Sequence, residues 1–459
     1  MGPPDLVVVS NRGPLSFTTG ADGREIAVRG GGGLVSSLGP VVAGSGATWV
    51  AAGAGGGRTA RPAVVEADGF RVRSVPIDPD TFGQYYDVVA NSTLWFLHHG
   101  LFDLARRPHL DRRWRQAWAA FRDVNHAFAD VVAAEAGPGA TVLVHDYHLP
   151  LVGRALAARR PDLRTAHFHH TPFCEPEALA TLPDEVAGEL LAGMAGYGAC
   201  GFHSSRWSSA FERCCDAVIG HHPPTFVSPA AVDLEGLRTV AGSKECADGL
   251  AELEAVVGDR RLIVRVDRIE PSKNLLRGFL AFDELLHQNP GWRQQVVFAA
   301  FVYPSREALA DYLAYRSEVE GLVARINRAW GTPGWVPIVL DTSDRFPRSV
   351  AALRRSDVLL VNPVRDGLNL VAKEGSVLNE RDGVLVLSRQ AGAWDELSAA
   401  ALGVNPFDIG GTADALVQAL EMDTGTRSTR ARALRAASQA ATPASWLADQ
   451  LAQHHLPTV

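Results

Sequence analysis

The chain has 459 residues, of which 46% are apolar, 21% charged and 8% aromatic; this excludes a mainly disordered chain and suits two or three globular domains. Its 51 acidic and 44 basic residues give a net charge of −7, which argues against non-specific nucleic-acid binding but permits a local basic pocket. Five cysteines, Cys174, Cys200, Cys214, Cys215 and Cys246, form no CxxC pair and read as reduced thiols of a cytoplasmic enzyme.

Residues 1–10 lack the basic and apolar regions of a signal peptide. Residues 30–57 carry no charge, yet eleven of these 28 residues are glycine. They read as loop, helix and strand, so no membrane partner is expected. Strands are predicted at 6–10, 141–145, 164–169, 262–266, 295–301, 336–341, 357–362 and 384–388, several of them apolar without alternation, as strands buried on both faces are. Helices are predicted at 112–135, 274–287, 306–330, 348–355 and 412–420, with one amphipathic helix at 443–455. This alternation predicts α/β architecture with parallel sheets. It weakens around 220–260, where the Gly- and charge-rich stretch 242–259 marks a domain boundary near 232–240.

Open α/β sheets bind ligands beyond the carboxyl ends of their strands, and the polar motifs fall there. Val7-Val8-Val9-Ser10-Asn11-Arg12 is a strand with a polar exit. Gly30–Gly33 precede a helical run, so their N–H groups can approach a phosphate or sugar. His145-Asp146-Tyr147-His148 ends another strand, but without a G-x-S-x-G elbow it is no hydrolase triad. Arg268 and Lys273, five apart after the strand 262–266, suit a diphosphate. Only three of the 44 basic residues are lysines, Lys244, Lys273 and Lys373, which strengthens that reading of Lys273.

The segment 362–374 leaves a strand, turns at Gly367 and opens a helix whose free N–H groups can hold a diphosphate or sugar. Asp366 can accept sugar hydroxyls and Glu374 can clamp a ribose diol; as an acid/base pair their spacing fixes neither the ~5–5.5 Å nor the ~6.5–9.5 Å of glycoside hydrolysis. Neither the histidines of His167-Phe168-His169-His170 nor Asp78-Pro79-Asp80 makes a convincing metal set. No metal and no cofactor are expected.

In order and spacing, Val7 to Arg12, Gly32-Gly33-Leu34, Tyr85-Tyr86 with Trp95, His145 to Leu149, Phe168 to Phe173, Gly201-Phe202, Arg268 to Lys273, Pro304 to Arg306 and Arg365 to Glu374 resemble the trehalose-6-phosphate synthases over about residues 6–450. The resemblance implies a GT-B fold: an acceptor domain at 1–235, a nucleotide-sugar domain at 236–440, the two facing across a cleft, and a helix in 441–459 crossing back to the first. It implies a metal-independent, retaining glycosyltransferase that moves glucose from a nucleotide donor to glucose 6-phosphate, with homo-oligomers common in the family. By resemblance, Arg12, Tyr86, Trp95 and Arg306 match the acceptor-phosphate site and Asp146 a ligand of acceptor hydroxyls. Arg268 and Lys273 match the donor diphosphate clamp, and His170 and Asp366 the contacts to the transferred glucose. Gly367, Asn369, Leu370, Val371 and Glu374 lie in the segment matching the diphosphate and ribose contacts, and Gly32 and Gly33 match the loop over the donor. The catalytic set is then Asp146, His170, Arg268, Lys273 and Asp366.

Two departures bear on chemistry. Arg268-Ile269-Glu270-Pro271-Ser272-Lys273-Asn274 stands where many members read R-L-D-Y-S-K-G. Residues 342–347 depart from the uridine-type pattern, and Ser343 and Asp344 offer partners to guanine N1–H and N2–H, which puts GDP-glucose slightly ahead of UDP-glucose. Presence of the acceptor and sugar residues weighs against a pseudo-glycosyltransferase acting on cyclitols and against a non-catalytic sugar-phosphate sensor.

Overall fold

The computed structural model describes residues 5–19, 25–29, 33–53 and 64–453. The chain divides into two compact units, 1–230 with 443–459, and 231–442.

The first unit holds an eight-stranded sheet. Its strands are β1 (Leu6–Ser10), β4 (Thr48–Ala52), β5 (Val64–Ala67), β6 (Phe70–Val75), β7 (Thr141–His145), β8 (Arg164–His169), β9 (Ala199–Phe202) and β10 (Thr225–Val227). Apart from this sheet, β2 (Leu15–Thr19) pairs antiparallel with β3 (Glu25–Arg29). The spatial order is β10-β9-β8-β7-β1-β4-β6-β5, parallel throughout except for the antiparallel edge pair β5–β6. Val7, Val8 and Val9 are fully buried, as a central strand covered on both faces requires. The helix Pro443–Ala452 belongs to this unit and packs on the helix Gly33–Val42. Its Trp446 is fully buried and donates its indole N–H to the Ser228 carbonyl at 3.0 Å.

The second unit holds β11 (Arg261–Ile269), β12 (Val296–Pro304), β13 (Ile338–Asp341), β14 (Val358–Val361), β15 (Val384–Ser388) and β16 (Leu402–Val404), all parallel, in the order β13-β12-β11-β14-β15-β16. Numbered within the sheet this is 3-2-1-4-5-6, the doubly wound nucleotide-binding order, whose ligand crevice opens where the winding reverses. The reversal falls between β11 and β14. In the first unit β1, β4 and β6 wind one way and β7, β8 and β9 the other, so the reversal falls between β1 and β7.

The structure corrects several expectations. β11 runs to Ile269, so Arg268 lies within the strand, opposite Tyr303 of β12. A 3₁₀ turn, Pro271–Lys273, then precedes the helix Leu275–Gln288. The stretch 242–259 is mostly the helix Lys244–Val257, capped by Ser243, whose hydroxyl accepts from the Cys246 N–H at 3.1 Å. Cys246, Gly249, Leu253 and Val257 form its buried stripe. Asp78 caps the helix Pro79–Gly83 by accepting from Thr81 N–H at 3.0 Å. Among the described residues no group of three or more His, Cys, Asp or Glu could hold a metal ion, and no helix is long and apolar enough to cross a membrane. All five cysteines are buried thiols.

Candidate active site

Two clusters stand out, one in each unit, each at the carboxyl end of its sheet beside the winding reversal.

In the first unit Arg12 leaves β1 exposed, and its Nη2 donates to the Tyr86 hydroxyl at 2.9 Å. The Tyr86 ring is stacked between Phe82 (centroids 5.3 Å apart) and His148 (5.7 Å). Tyr85 donates from its hydroxyl to Asn11 Oδ1 at 3.0 Å, which ties this helix to the exit of β1. The helix is unusual: Gln84–Leu94 is a π-helix continuing into the α-helical turn Trp95–His99. Asn91 and Thr93 donate side-chain bonds to the carbonyls five residues back, Tyr86 and Val88. Tyr86 and Trp95, nine apart, would be two and a half turns apart at the α-helix's ~3.6 residues per turn, on opposite faces. The wider i→i+5 winding brings them towards the same face. Trp95 is buried against His99, their rings 4.2 Å apart.

Asp146 follows β7 with φ of 74°, a left-handed conformation that is strained for a residue with a side chain. Its Oδ1 accepts from the N–H groups of Tyr147 (3.0 Å) and His170 (3.3 Å), joining the ends of β7 and β8. The His170 ring lies in a row of imidazoles: His203 Nε2 is 3.1 Å from His170 Nδ1, and His170 Nε2 is 3.1 Å from His145 Nδ1. Desolvation holds His170 down at about 3 and pushes His145, His167 and His169 well below the ordinary histidine value, so these rings are neutral at working pH. Both ring nitrogens of His170 thus have histidine partners. Gly33 is the first residue of the helix Gly33–Val42, while Gly32 lies outside the described residues.

In the second unit the cluster is built from charges. Lys273 Nζ sits 2.5 Å from Asp366 Oδ2, although 93 residues separate them in sequence. Burial alone would lower the Lys273 amine, but Asp366 and then Asp267 outweigh it and hold it above its usual value. Asn369 has φ of 79°, caps the helix Leu370–Leu378 by accepting from Ala372 N–H, and donates to Asp366 Oδ2 at 3.2 Å. Leu370 and Val371 therefore open that helix with its N–H groups at the strand exit. The Gly367 carbonyl abuts Gly392, where a Cβ would fall 1.9 Å from it, so Gly392 admits no side chain without movement of the turn. Glu374, partly buried in the helix, has its carboxyl pushed up to about 7 by burial.

Arg268 and Arg306 meet on one carboxylate that the sequence reading did not single out. Glu270 is fully buried, and its Oε1 lies 2.9 Å from Arg268 Nη1 and 3.3 Å from Arg306 Nη1, and accepts the Ser305 hydroxyl at 3.0 Å. Burial works to raise the Glu270 carboxyl, but Arg268, Arg306 and Lys273 outweigh it and hold it below the ordinary range. Arg306 itself has φ of 48° and donates to the Tyr312 hydroxyl at 2.5 Å. Arg306, matched by resemblance to the acceptor-phosphate site, lies in the second unit with Arg268. The signal for Glu270 was its place between two cationic motif residues, where the family pattern has aspartate. His148 stood in a quoted motif without a role and His203 was missed, since only folding sets them against Tyr86 and His170.

The rarity of lysine turns out to have several causes. Lys373 is buried and paired with both oxygens of Glu396 (2.9 and 3.0 Å), and exposed Lys244 pairs with Asp248 along a helix. Both nucleobase candidates, Ser343 and Asp344, are exposed, and the Ser343 hydroxyl donates to Asp341 Oδ1 at 2.5 Å and accepts from Arg345 Nε at 3.1 Å.

Comparison with known proteins agrees with this geometry. Residues 4–455 match the model of glycosyltransferase family 20. A trehalose-6-phosphate synthase of Mycobacterium sp. strain JLS is 33% identical over 459 residues, covering 95% of this chain and 92% of that protein. A bifunctional trehalose-6-phosphate synthase/phosphatase of Thermoproteus tenax is 33% identical over 94% of this chain, which spans 60% of that longer protein. Among solved structures, a UDP-forming α,α-trehalose-phosphate synthase from Burkholderia xenovorans in complex with glucose 6-phosphate superposes with a TM-score of 0.87 at 28% identity, covering 97% of this chain and 99% of that one. An E. coli structure bound with UDP-2-fluoro glucose gives 0.87 at 28% identity, covering 99% of each chain. The chain belongs to glycosyltransferase family 20 and is an enzyme of the trehalose-6-phosphate synthase type, with the paired Rossmann-like units of the GT-B class.

Proposed function

We propose that the chain transfers glucose from UDP-glucose to the 1-hydroxyl of glucose 6-phosphate, giving α,α-trehalose 6-phosphate with retention at the donor carbon. The observation that carries this reading is the gathering of Arg268, Lys273 and the N-terminus of the helix Leu370–Leu378 at the winding reversal of the second sheet, where a departing diphosphate would be stabilised. Arg12 on Tyr86 supports an acceptor-phosphate contact in the first unit. In a front-face step the bond from the anomeric carbon to the diphosphate oxygen breaks. The acceptor oxygen bonds to the same face, and its proton passes to the leaving phosphate. Asp366 and His170 would hold the transferred glucose, Asp146 the acceptor hydroxyls and Glu374 the ribose.

Two observations support UDP-glucose over GDP-glucose. The Ser343 hydroxyl, which favoured guanine in the sequence, is engaged by Asp341 and Arg345, and the Burkholderia relative is UDP-forming. The five buried thiols support a reducing cytoplasm as the site of action. The test is nucleotide release, with kcat/KM compared for UDP-, GDP- and ADP-glucose on glucose 6-phosphate, and the product linkage read by NMR. Absence of transfer from all three donors would overturn the proposal; a GDP-glucose preference would overturn only the nucleobase assignment.

A further inference from the structure

We infer that Glu270 is a positioning residue that couples the two phosphate-binding arginines, so that the charge state at the donor end sets affinity at the acceptor end. The inference rests on the reading that Arg268 faces the donor diphosphate and Arg306 the acceptor phosphate. Glu270 makes no substrate contact in it.

The geometry is specific. Arg268 and Tyr303 are paired residues near the ends of neighbouring strands, and Arg306 follows two residues after β12 ends. Both guanidiniums therefore spring from rigid backbone. They converge on the same oxygen of Glu270, with the Ser305 hydroxyl as a third partner. The second oxygen, Oε2, is buried and has no hydrogen-bond partner among the described residues. A carboxylate placed only to neutralise two arginines would offer one oxygen to each. Here one oxygen is contested, so a change at either arginine alters what the other receives.

The two arginines also differ in freedom. The Arg268 side chain is 41% exposed and that of Arg306 only 8%. Arg306 is further held by the Tyr312 hydroxyl and by its left-handed backbone. Arg268 is thus the partner that an incoming diphosphate can draw away, and Arg306 the one that stays with Glu270. Glutamate in place of the family's aspartate adds the methylene that lets one buried carboxylate reach both.

The consequence has a sign. Deleting Arg268 leaves Glu270 with one cation fewer. Its charge then falls more fully on Arg306, and the attraction of Arg306 for a phosphate weakens. Glucose 6-phosphate affinity should therefore fall on a substitution at the donor side, and only while Glu270 is charged. Calorimetric titration of glucose 6-phosphate into wild type, Arg268→Ala, Glu270→Gln and the double variant measures this coupling. We expect Arg268→Ala to weaken binding about 5-fold with Glu270 present and less than about 2-fold in the Glu270→Gln background. Equal effects in the two backgrounds would overturn the coupling while leaving the functional reading standing. A wild type that binds no glucose 6-phosphate would overturn that reading, and this inference with it. Should Glu270→Gln fail to fold, the same cycle is run with Glu270→Asp, which keeps the charge but not the reach and should abolish the difference equally.

Discussion

In the first unit Arg12 rests on a stack of Phe82, Tyr86 and His148, and a row of imidazoles, of which His145 and His170 are desolvated and neutral, meets the left-handed turn of Asp146. In the second unit nearly every functional group is charged and already paired: Lys273 with Asp366, Arg268 and Arg306 with Glu270. The first cluster is held by shape and neutral hydrogen bonds, the second by charges that balance one another until an anion arrives. The difference suits the proposed chemistry. A hexose phosphate needs an oriented ring and a fixed anion contact in the first unit, whereas a departing diphosphate needs preorganised positive charge at the moment its own charge grows.

The largest expected effect tests the charged side. Arg268→Ala should lower kcat by about 100- to 1,000-fold, the usual cost of losing one preorganised donor to a developing anion. Its effect on glucose 6-phosphate binding should stay near 5-fold. Steady-state kinetics with both substrates varied gives the two numbers, and turnover close to wild type would remove Arg268 from the diphosphate. Next comes the neutral side. Arg12→Ala removes one charge-assisted phosphate contact worth about 1.5–3 kcal/mol, so KM for glucose 6-phosphate should rise roughly 10- to 100-fold with kcat nearly unchanged. A fall in kcat without a change in KM would assign Arg12 to the reacting centre instead.

In the charged cluster of the second unit, Glu374 is expected to titrate near neutrality. Burial pushes it up to about 7 from its ordinary 4.5, and only the ionised form accepts both hydroxyls of a diol. In the free enzyme, kcat/KM for the donor should rise with pH through about 7 and level off above it, and Glu374→Gln should flatten that limb. The stability signature has the opposite slope. Between about pH 4.5 and 7 the folded chain keeps a proton that the unfolded chain has lost, so stability falls as pH rises through that window, by an amount on the order of 1–3 kcal/mol. Urea unfolding of wild type and Glu374→Gln at pH 5 and 8 checks the sign.

How far the sequence carries depends on whether a feature is local. The helix Arg112–Glu135 is legible to the residue. Asp111 caps it, Trp114, Trp118, Phe121 and Phe128 mark one face, and Gly137 and Pro138 end the run. The apolar central strands are equally plain, since burial on both faces leaves an unbroken β-branched run. The edge strand β5 is short and carries Glu66, its neighbour β6 is interrupted by Arg71 and Arg73, and neither is. The helix Lys244–Val257 is obscured by its charged surface, although its buried stripe has helical spacing. The π-helix has no compositional mark at all, and it alone explains why Tyr86 and Trp95 stand nine apart. At the site, the strand exits carrying Arg12, Asp146 and Asp366 are readable because polar residues interrupt apolar runs. Lys273 with Asp366, or Glu270 with Arg306, are pairings across sequence that only the sheet order creates.

Effects confined to stability probe the neutral side through the direction of its imidazole row. The Ala230 N–H can only donate, and it lies 3.2 Å from His203 Nδ1. That nitrogen must accept, so a neutral His203 carries its proton on Nε2 and donates to His170 Nδ1. His170 then donates from Nε2 to His145 Nδ1. The row ends on His145 Nε2, a buried N–H without a hydrogen-bond partner among the described residues. His203→Leu would take its acceptor from the Ala230 N–H and its donor from His170 Nδ1, and should cost about 2–3 kcal/mol at ~1–3 kcal/mol for each buried bond so lost, partly relieved. His145→Leu would orphan the His170 Nε2–H but delete the unpaired N–H already present, so its net cost should stay below about 1 kcal/mol. Neither difference should change between pH 5 and 8, because His145 and His170 stay neutral across that range. Urea midpoints of the two variants settle the direction: a costlier His145→Leu would mean that the row runs the other way and that Ala230 does not set it.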